Sequence, residues 1–153
     1  MPAKPILLDP PGLLGAAALA PLAQVRPMLA MRAACGFPSP AEGFFTEDDR
    51  LDLNELLIAN PPATFFARAD CGQSMVDFGI QSGDILVIDR SLTPRHGQIV
   101  LVLWEGGFTV KQLHARSNRV ELHASRGIAP IKVGEGIELD VWGVVRWTLH
   151  SLA

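Results

Sequence analysis

The sequence is poor in charged residues and cysteines, contains no tyrosine, and lacks a long apolar run. Charged residues make up 19% of the chain and the formal net charge is −3. This balance argues against a protein that binds DNA by neutralising phosphates, because such contacts need a basic patch. No run of about eighteen apolar residues is available to span a bilayer.

The two cysteines and four histidines do not suggest a metal centre. Cys35 and Cys71 are far apart, and the histidines are scattered without the spacing of metal ligands. We therefore expect no metal site, no cofactor and no structural disulfide.

What the chain does have is enough apolar sequence for one modest core. It has 153 residues, of which 48% are hydrophobic, so we expect a soluble globular domain with appendages. The first 34 residues are rich in Ala, Leu and Pro, and Pro21 and Pro27 prevent one long helix. A secretory signal with GLLGAAALA as its core is the competing interpretation, but Arg26 and Arg32 follow that stretch.

We interpret this N-terminal segment as an apolar arm that packs on its own domain or on a partner. No helix-turn-helix pattern is visible in it.

The next stretch, GFPSPAEGFFTEDD, contains two prolines and two glycines and is typical of an exposed connector. Asp52 and Glu55 have capping-box-like spacing, which predicts a short helix LNELLIAN that ends before Pro61.

The remainder of the sequence predicts a small all-β domain. Six apolar stretches are separated by turn signals such as QSG, TPRHG, EGG and ARSN; they are TFFARA, DILVID, QIVLVLW, GFTVKQL, RVELH and IELDVWGVVRWTLH. Strict alternation in the last stretch places one set of residues on a single face: Leu139, Val141, Gly143, Val145, Trp147 and Leu149.

Ser74 and Lys111 are the candidate catalytic pair. Ser74 lies in a Gly-Gln-Ser-Met turn after TFFARA, where a serine can present its hydroxyl to a carbonyl, with its own N–H and that of Met75 as oxyanion donors. Alternation in GFTVKQL puts Thr109, Lys111 and Leu113 on one face. The alternative interpretation is that Ser74 caps a helix and Lys111 is a solvated strand residue.

Burial would make Lys111 a suitable base. Desolvation favours the neutral amine and lowers a lysine pKa from about 10.4. A neutral amine can accept the serine proton and later return it to the leaving group, so that neither histidine nor aspartate is required. Cys71 lies close enough in sequence to be considered as a nucleophile, but we favour Ser74.

The string GQSMVDFGIQSGDILVIDRSLTPRHGQIVLVLWEGGFTVKQL resembles the signature of the LexA/UmuD family of self-cleaving serine peptidases. Ser74 and Lys111 match that family's catalytic serine and lysine. The upstream AACGFPSP resembles the UmuD cleavage segment, which implies a scissile bond at Cys35–Gly36. Gln73 and Gln98 stand where the family usually has acidic residues. Together the two matches favour the UmuD branch over the LexA branch.

The resemblance implies a mainly β fold, namely a β-clip catalytic domain with an extended, partly flexible N-terminal arm. It divides the chain into an arm removed by self-cleavage (1–35), a connector with a short helix (36–62) and a Ser-Lys peptidase domain (63–153).

It further implies a cytoplasmic homodimer that responds to RecA filaments on single-stranded DNA. The shortened form would serve a UmuC-type Y-family polymerase in translesion synthesis. Two alternatives remain: a LexA-like or phage-like regulator without a DNA-binding head, and a non-catalytic interaction module of the same fold. Type I signal peptidases also use a Ser-Lys catalytic dyad, but this sequence shows no membrane segment, which makes them a remote alternative.

Overall fold

The computed structural model describes the backbone of residues 13–16 and 26–27 and the full chain of residues 50–153. The predicted cleavage bond Cys35–Gly36 and most of the predicted arm lie outside the described residues. No helix in the described part of the chain is long and apolar enough to cross a bilayer.

The architecture is mainly β, as predicted, and is consistent with a β-clip domain. An eight-stranded antiparallel sheet has the strand order β1-β4-β5-β10-β6-β7-β8-β9, and β2 pairs with β3 in a separate two-stranded ladder. The strands are β1 Leu13–Ala16, β2 Arg26–Pro27, β3 Arg50–Leu51, β4 Thr64–Arg68, β5 Ile85–Asp89, β6 Ile99–Trp104, β7 Gly107–Arg116, β8 Arg119–His123, β9 Ile131–Val133 and β10 Asp140–Leu149.

The predicted helix is present but shorter than expected. Helix α1 runs from Leu53 to Leu57, and the Asp52 carboxylate caps it by accepting the Asn54 N–H at 2.9 Å. A one-turn 3-10 helix at Pro61–Ala63 then leads directly into β4. The two short helices therefore lead into β4, the strand that precedes Ser74.

The prediction that β10 presents one continuous apolar face is wrong. Register shifts at Val141/Gly143 and at Val145/Trp147 interrupt its pairing with β6 and β5, and each bulge reverses the side-chain alternation. Trp142 is buried instead, whereas Trp147 is 37% exposed.

Two apolar clusters occupy opposite faces of the sheet. Alternation along β6 sends Leu101 into the first cluster and Val100 and Val102 into the second. Met75, the residue after Ser74, has no exposed surface in the first cluster, and burial of such a side chain stabilises the fold by about 1.5–3 kcal/mol. The first cluster therefore anchors the turn that carries Ser74.

Candidate active site

A cavity of about 720 Å³ opens beside the ends of β4 and β7. Ser74 and Cys71 line one part of it, and the first residues of β7 line another. The full lining is Ala67, Arg68, Ala69, Asp70, Cys71, Ser74, Ser82, Gly83, Leu86, Leu101, Phe108, Thr109 and Val110. The predicted nucleophile therefore faces a space large enough for a peptide segment.

Backbone hydrogen bonds fix the turn that carries Ser74. The Ser74 N–H donates to the Cys71 carbonyl at 2.9 Å, and the Ser74 carbonyl accepts the Ser125 N–H at 2.7 Å. Gly72 has a positive φ of 52° and donates its N–H to Ser82 Oγ at 2.8 Å. A β-branched or bulky residue is disfavoured at such a φ, so Gly72 allows the chain to reverse before Ser74.

Ser74 does not cap a helix. The short 3-10 turn that follows, Val76–Phe78, has Met75 at its N-cap position without a side-chain cap. The capping alternative is therefore not what the structure shows.

Lys111 is half-buried and its amine contacts β7 itself. Lys111 Nζ donates to Thr109 Oγ1 at 3.1 Å and to the Val110 carbonyl at 3.0 Å. Burial lowers the pKa of the Lys111 ammonium below its ordinary value, an effect that the nearby Cys71 partly opposes. Lys111 is therefore partly desolvated, rather than the fully solvated residue of the alternative interpretation.

The structure links Lys111 to the cavity through its hydrogen-bond acceptors, although Lys111 itself is not one of the lining residues. Both of its acceptors belong to cavity-lining residues, Thr109 and Val110. No direct hydrogen bond joins Ser74 Oγ to Lys111 Nζ within residues 50–153.

Cys71 shares the cavity with Ser74, but burial disfavours its thiolate form. Burial raises the pKa of the Cys71 thiol, with smaller lowering effects from a backbone hydrogen bond and from Lys111. Since the thiolate is the reactive form of cysteine, this environment favours Ser74.

The two backbone N–H groups predicted to bind an oxyanion, those of Ser74 and Met75, differ in whether they already donate a hydrogen bond. The Ser74 N–H is already donated to Cys71 within the turn, so a substrate oxyanion would have to share or replace that acceptor. The Met75 N–H has no acceptor among the described residues.

Ser125 supports the turn and was missed by the sequence analysis. It is buried, and its Oγ accepts the Asp77 N–H at 3.0 Å while Asp77 Oδ2 accepts the Arg126 N–H at 2.7 Å. Together with the bond to the Ser74 carbonyl, these contacts tie the turn to the segment after β8. No local pattern signals them, because the partners are 48 and 49 residues apart.

Asp84 supports the other side of the cavity. Burial alone would raise the pKa of this carboxyl, but hydrogen bonds from the Gln81 N–H at 2.9 Å, His150 at 2.6 Å and Thr148 at 3.1 Å lower the pKa overall. The Asp84 carbonyl also accepts the Ala69 N–H at 2.8 Å. Asp84 thus connects the C-terminal strand to the end of β4.

Gln98, one of the two departures from the family signature, has a structural role. Its Oε1 accepts the Arg95 N–H at 2.8 Å, and its carbonyl accepts the Leu113 N–H at 2.8 Å. It closes the turn before β6, whereas Gln73 is exposed.

Within residues 50–153, no group of three or more His, Cys, Asp and Glu side chains could hold a metal ion.

Comparison with known proteins identifies relatives that extend over most of the chain. ImpA of Escherichia coli is 50% identical over 126 residues, covering 82% of this chain and 84% of ImpA. SamA of Salmonella typhimurium is 39% identical over 131 residues, covering 86% of this chain and 89% of SamA. The LexA repressor of Syntrophotalea carbinolica is 41% identical over 81 residues, covering 52% of this chain and 40% of the repressor.

A family model agrees with these similarities and with the resemblance found in the sequence. The model of the Peptidase S24-like family matches residues 27–146, a range that includes Cys35–Gly36, the Ser74 turn and Lys111. The chain therefore belongs to the Peptidase S24-like family, as a UmuD-like member.

Proposed function

We propose that this protein is a self-cleaving peptidase that cuts its own chain at Cys35–Gly36, with Ser74 as nucleophile and Lys111 as general base. The observation that carries the proposal is the half-buried Lys111 amine, with its lowered pKa, hydrogen-bonded to Thr109, which lines the same cavity as Ser74. Family membership supports the assignment, since Ser74 and Lys111 lie where the resemblance to the family signature implies the catalytic serine and lysine.

The reaction has two chemical steps. Neutral Lys111 Nζ takes the proton of Ser74 Oγ as that oxygen attacks the carbonyl carbon of Cys35. The tetrahedral intermediate then expels the amine of Gly36, which receives the proton from the Lys111 ammonium. Water, activated by the same amine, hydrolyses the ester between Ser74 and Cys35 and releases a fragment that ends in the Cys35 carboxylate.

The cleavage removes residues 1–35 and leaves a connector (36–62) joined to the peptidase domain (63–153). Residues 33–36 are Ala-Ala-Cys-Gly, and such small side chains allow an extended backbone to enter a cleft. The chain between Gly36 and Ser74 is long enough, at about 3.3 Å per residue, that reach does not restrict cleavage to the same molecule.

In the cell, this activity belongs to the DNA-damage response. The protein acts as a cytoplasmic homodimer whose cleavage is stimulated by RecA filaments on single-stranded DNA. Its shortened form is an accessory subunit of a UmuC-type polymerase in translesion synthesis. RecA acts by stabilising the conformation in which the cleavage segment enters the cavity and dehydrates Lys111.

The experiment is to incubate the purified full chain with RecA, single-stranded DNA and a nucleotide cofactor at neutral pH, beside a sample without RecA. The proposal expects a shorter product that accumulates faster with RecA, and none from Ser74→Ala in either sample. Cleavage that RecA does not accelerate would contradict the RecA-dependent part of the proposal. No cleavage with RecA or at alkaline pH would favour a non-catalytic interaction module.

A further inference from the structure

The first strand of the sheet precedes the part of the chain that matches the family. Leu13–Ala16 forms β1, whereas the family match begins at residue 27. β1 pairs antiparallel with β4, with Gly15 opposite Phe66 and Leu13 opposite Ala67. In the intact chain the edge of β4 is therefore covered by a segment on the N-terminal side of Cys35–Gly36.

The backbone of β4 shows which groups this strand covers. The Ala69 N–H donates to the Asp84 carbonyl, and the Ala63 carbonyl accepts the Arg90 N–H, so residues 63 and 69 point toward β5. The pairing of β4 with β5 has no register shift between them. Because backbone direction alternates along a strand, the N–H and C=O of Phe66 point toward β1.

We propose that the outer edge of β4 is a strand-acceptor surface, occupied in the intact chain by the chain's own Leu13–Ala16 and opened by cleavage. The ligand it accepts is an extended peptide backbone, which adds a strand by main-chain hydrogen bonds. The opening of this edge rests on the proposed cleavage. Occupancy of the edge by β1 in the intact chain does not depend on cleavage.

The length of β1 explains why cleavage would open the edge. A four-residue strand pairs weakly by itself, since even an isolated two-stranded hairpin is marginal in water. Attachment to the domain gives such a segment an effective concentration of about millimolar. β2 pairs with β3 over only two residues and adds little, so a severed arm dissociates at micromolar protein concentration.

Amide hydrogen exchange of the full chain tests the occupancy, with Ser74→Ala as background so that the chain stays intact. Gly15→Pro removes the N–H that faces the Phe66 carbonyl and places a proline ring in the ladder, which should displace β1 and make the Phe66 amide exchange about tenfold faster or more. Ala18→Pro, in the same arm but beyond β1, is the matched control and should leave the exchange rate of the Phe66 amide unchanged. The Ala69 amide, bonded to Asp84, should stay protected in all three proteins. A Phe66 amide equally protected with Gly15→Pro, or unprotected in the parent, would overturn the proposal.

The cleaved wild-type protein tests the release. Its Phe66 amide should exchange as fast as in Gly15→Pro, and a synthetic peptide of residues 11–18 at about 1 mM should restore protection. The same peptide with Gly15→Pro should not. Persistent protection after cleavage, or no effect of the parent peptide, would overturn the release of β1. If the wild-type chain does not cleave, the proposed function fails while the Gly15→Pro comparison still decides whether β1 occupies the edge.

Discussion

Lys111 Nζ and Thr109 Oγ1 lie 3.1 Å apart on the same face of β7. This contact holds the half-buried amine beside a cavity-lining residue, so we expect Thr109 to position the proposed base.

Replacing Thr109 should slow self-cleavage without abolishing it. Thr109→Val keeps the shape of the side chain but removes the acceptor, and loss of one hydrogen bond of about 0.5–1.5 kcal/mol corresponds to about 2–10-fold in rate. Thr109→Ser restores the hydroxyl and should recover most of the rate. Single-turnover cleavage of the three proteins at alkaline pH measures this. Equal loss with Val and Ser would show that the hydroxyl does not position Lys111.

Loss of either dyad member should be as damaging as loss of both. Ser74→Ala removes the attacking oxygen and Lys111→Ala removes the base, and groups that act as one unit are non-additive in their effects. The double variant should therefore cleave no more slowly than either single variant. Thermal unfolding of each protein serves as the control for folding. Measurable cleavage by Lys111→Ala would assign the base to another group.

The rate of unassisted cleavage should rise with pH and then level off. Only the neutral amine accepts the Ser74 proton, and burial places the pKa of Lys111 below about 10.4. The midpoint of the pH–rate profile should therefore lie below that value. A stopped time course at each pH, with intact mass as readout, measures it. A rate that does not change with pH would contradict Lys111 as the base.

Asp84 should contribute stability that depends on pH. Because hydrogen bonds lower the pKa of its carboxyl in the folded state, the contribution is fully present above the unfolded value of about 3.9. It is lost as pH falls through the lower folded pKa.

Asp84→Asn should reduce the free energy of unfolding at neutral pH by about 1–3 kcal/mol, since His150 and Thr148 lose a charged acceptor. Urea unfolding at several pH values measures this, with exposed Glu135→Gln as control. A variant as stable as the parent at neutral pH would show that the Asp84 contacts add nothing net.

The sequence predicted the elements whose pattern is local. Alternating apolar residues and turn signals were enough for β4 to β8, and the alternation around Lys111 placed Thr109 beside it, as the contact between them confirms. β10 was misinterpreted because its two bulges depend on pairing with two different neighbours. β9 has only three residues, too few to show an alternation pattern, and the support from Ser125 depends on a partner 48 residues away that no local pattern reveals.

The most direct test of self-cleavage is the intact mass of the product formed when the purified full chain is incubated at alkaline pH. The account predicts one domain-sized product that begins at Gly36, a complementary fragment that ends at Cys35, and neither species from Ser74→Ala or Lys111→Ala under the same conditions. A product that begins elsewhere would contradict the assigned bond, and the same product from Ser74→Ala would contradict self-cleavage by this site.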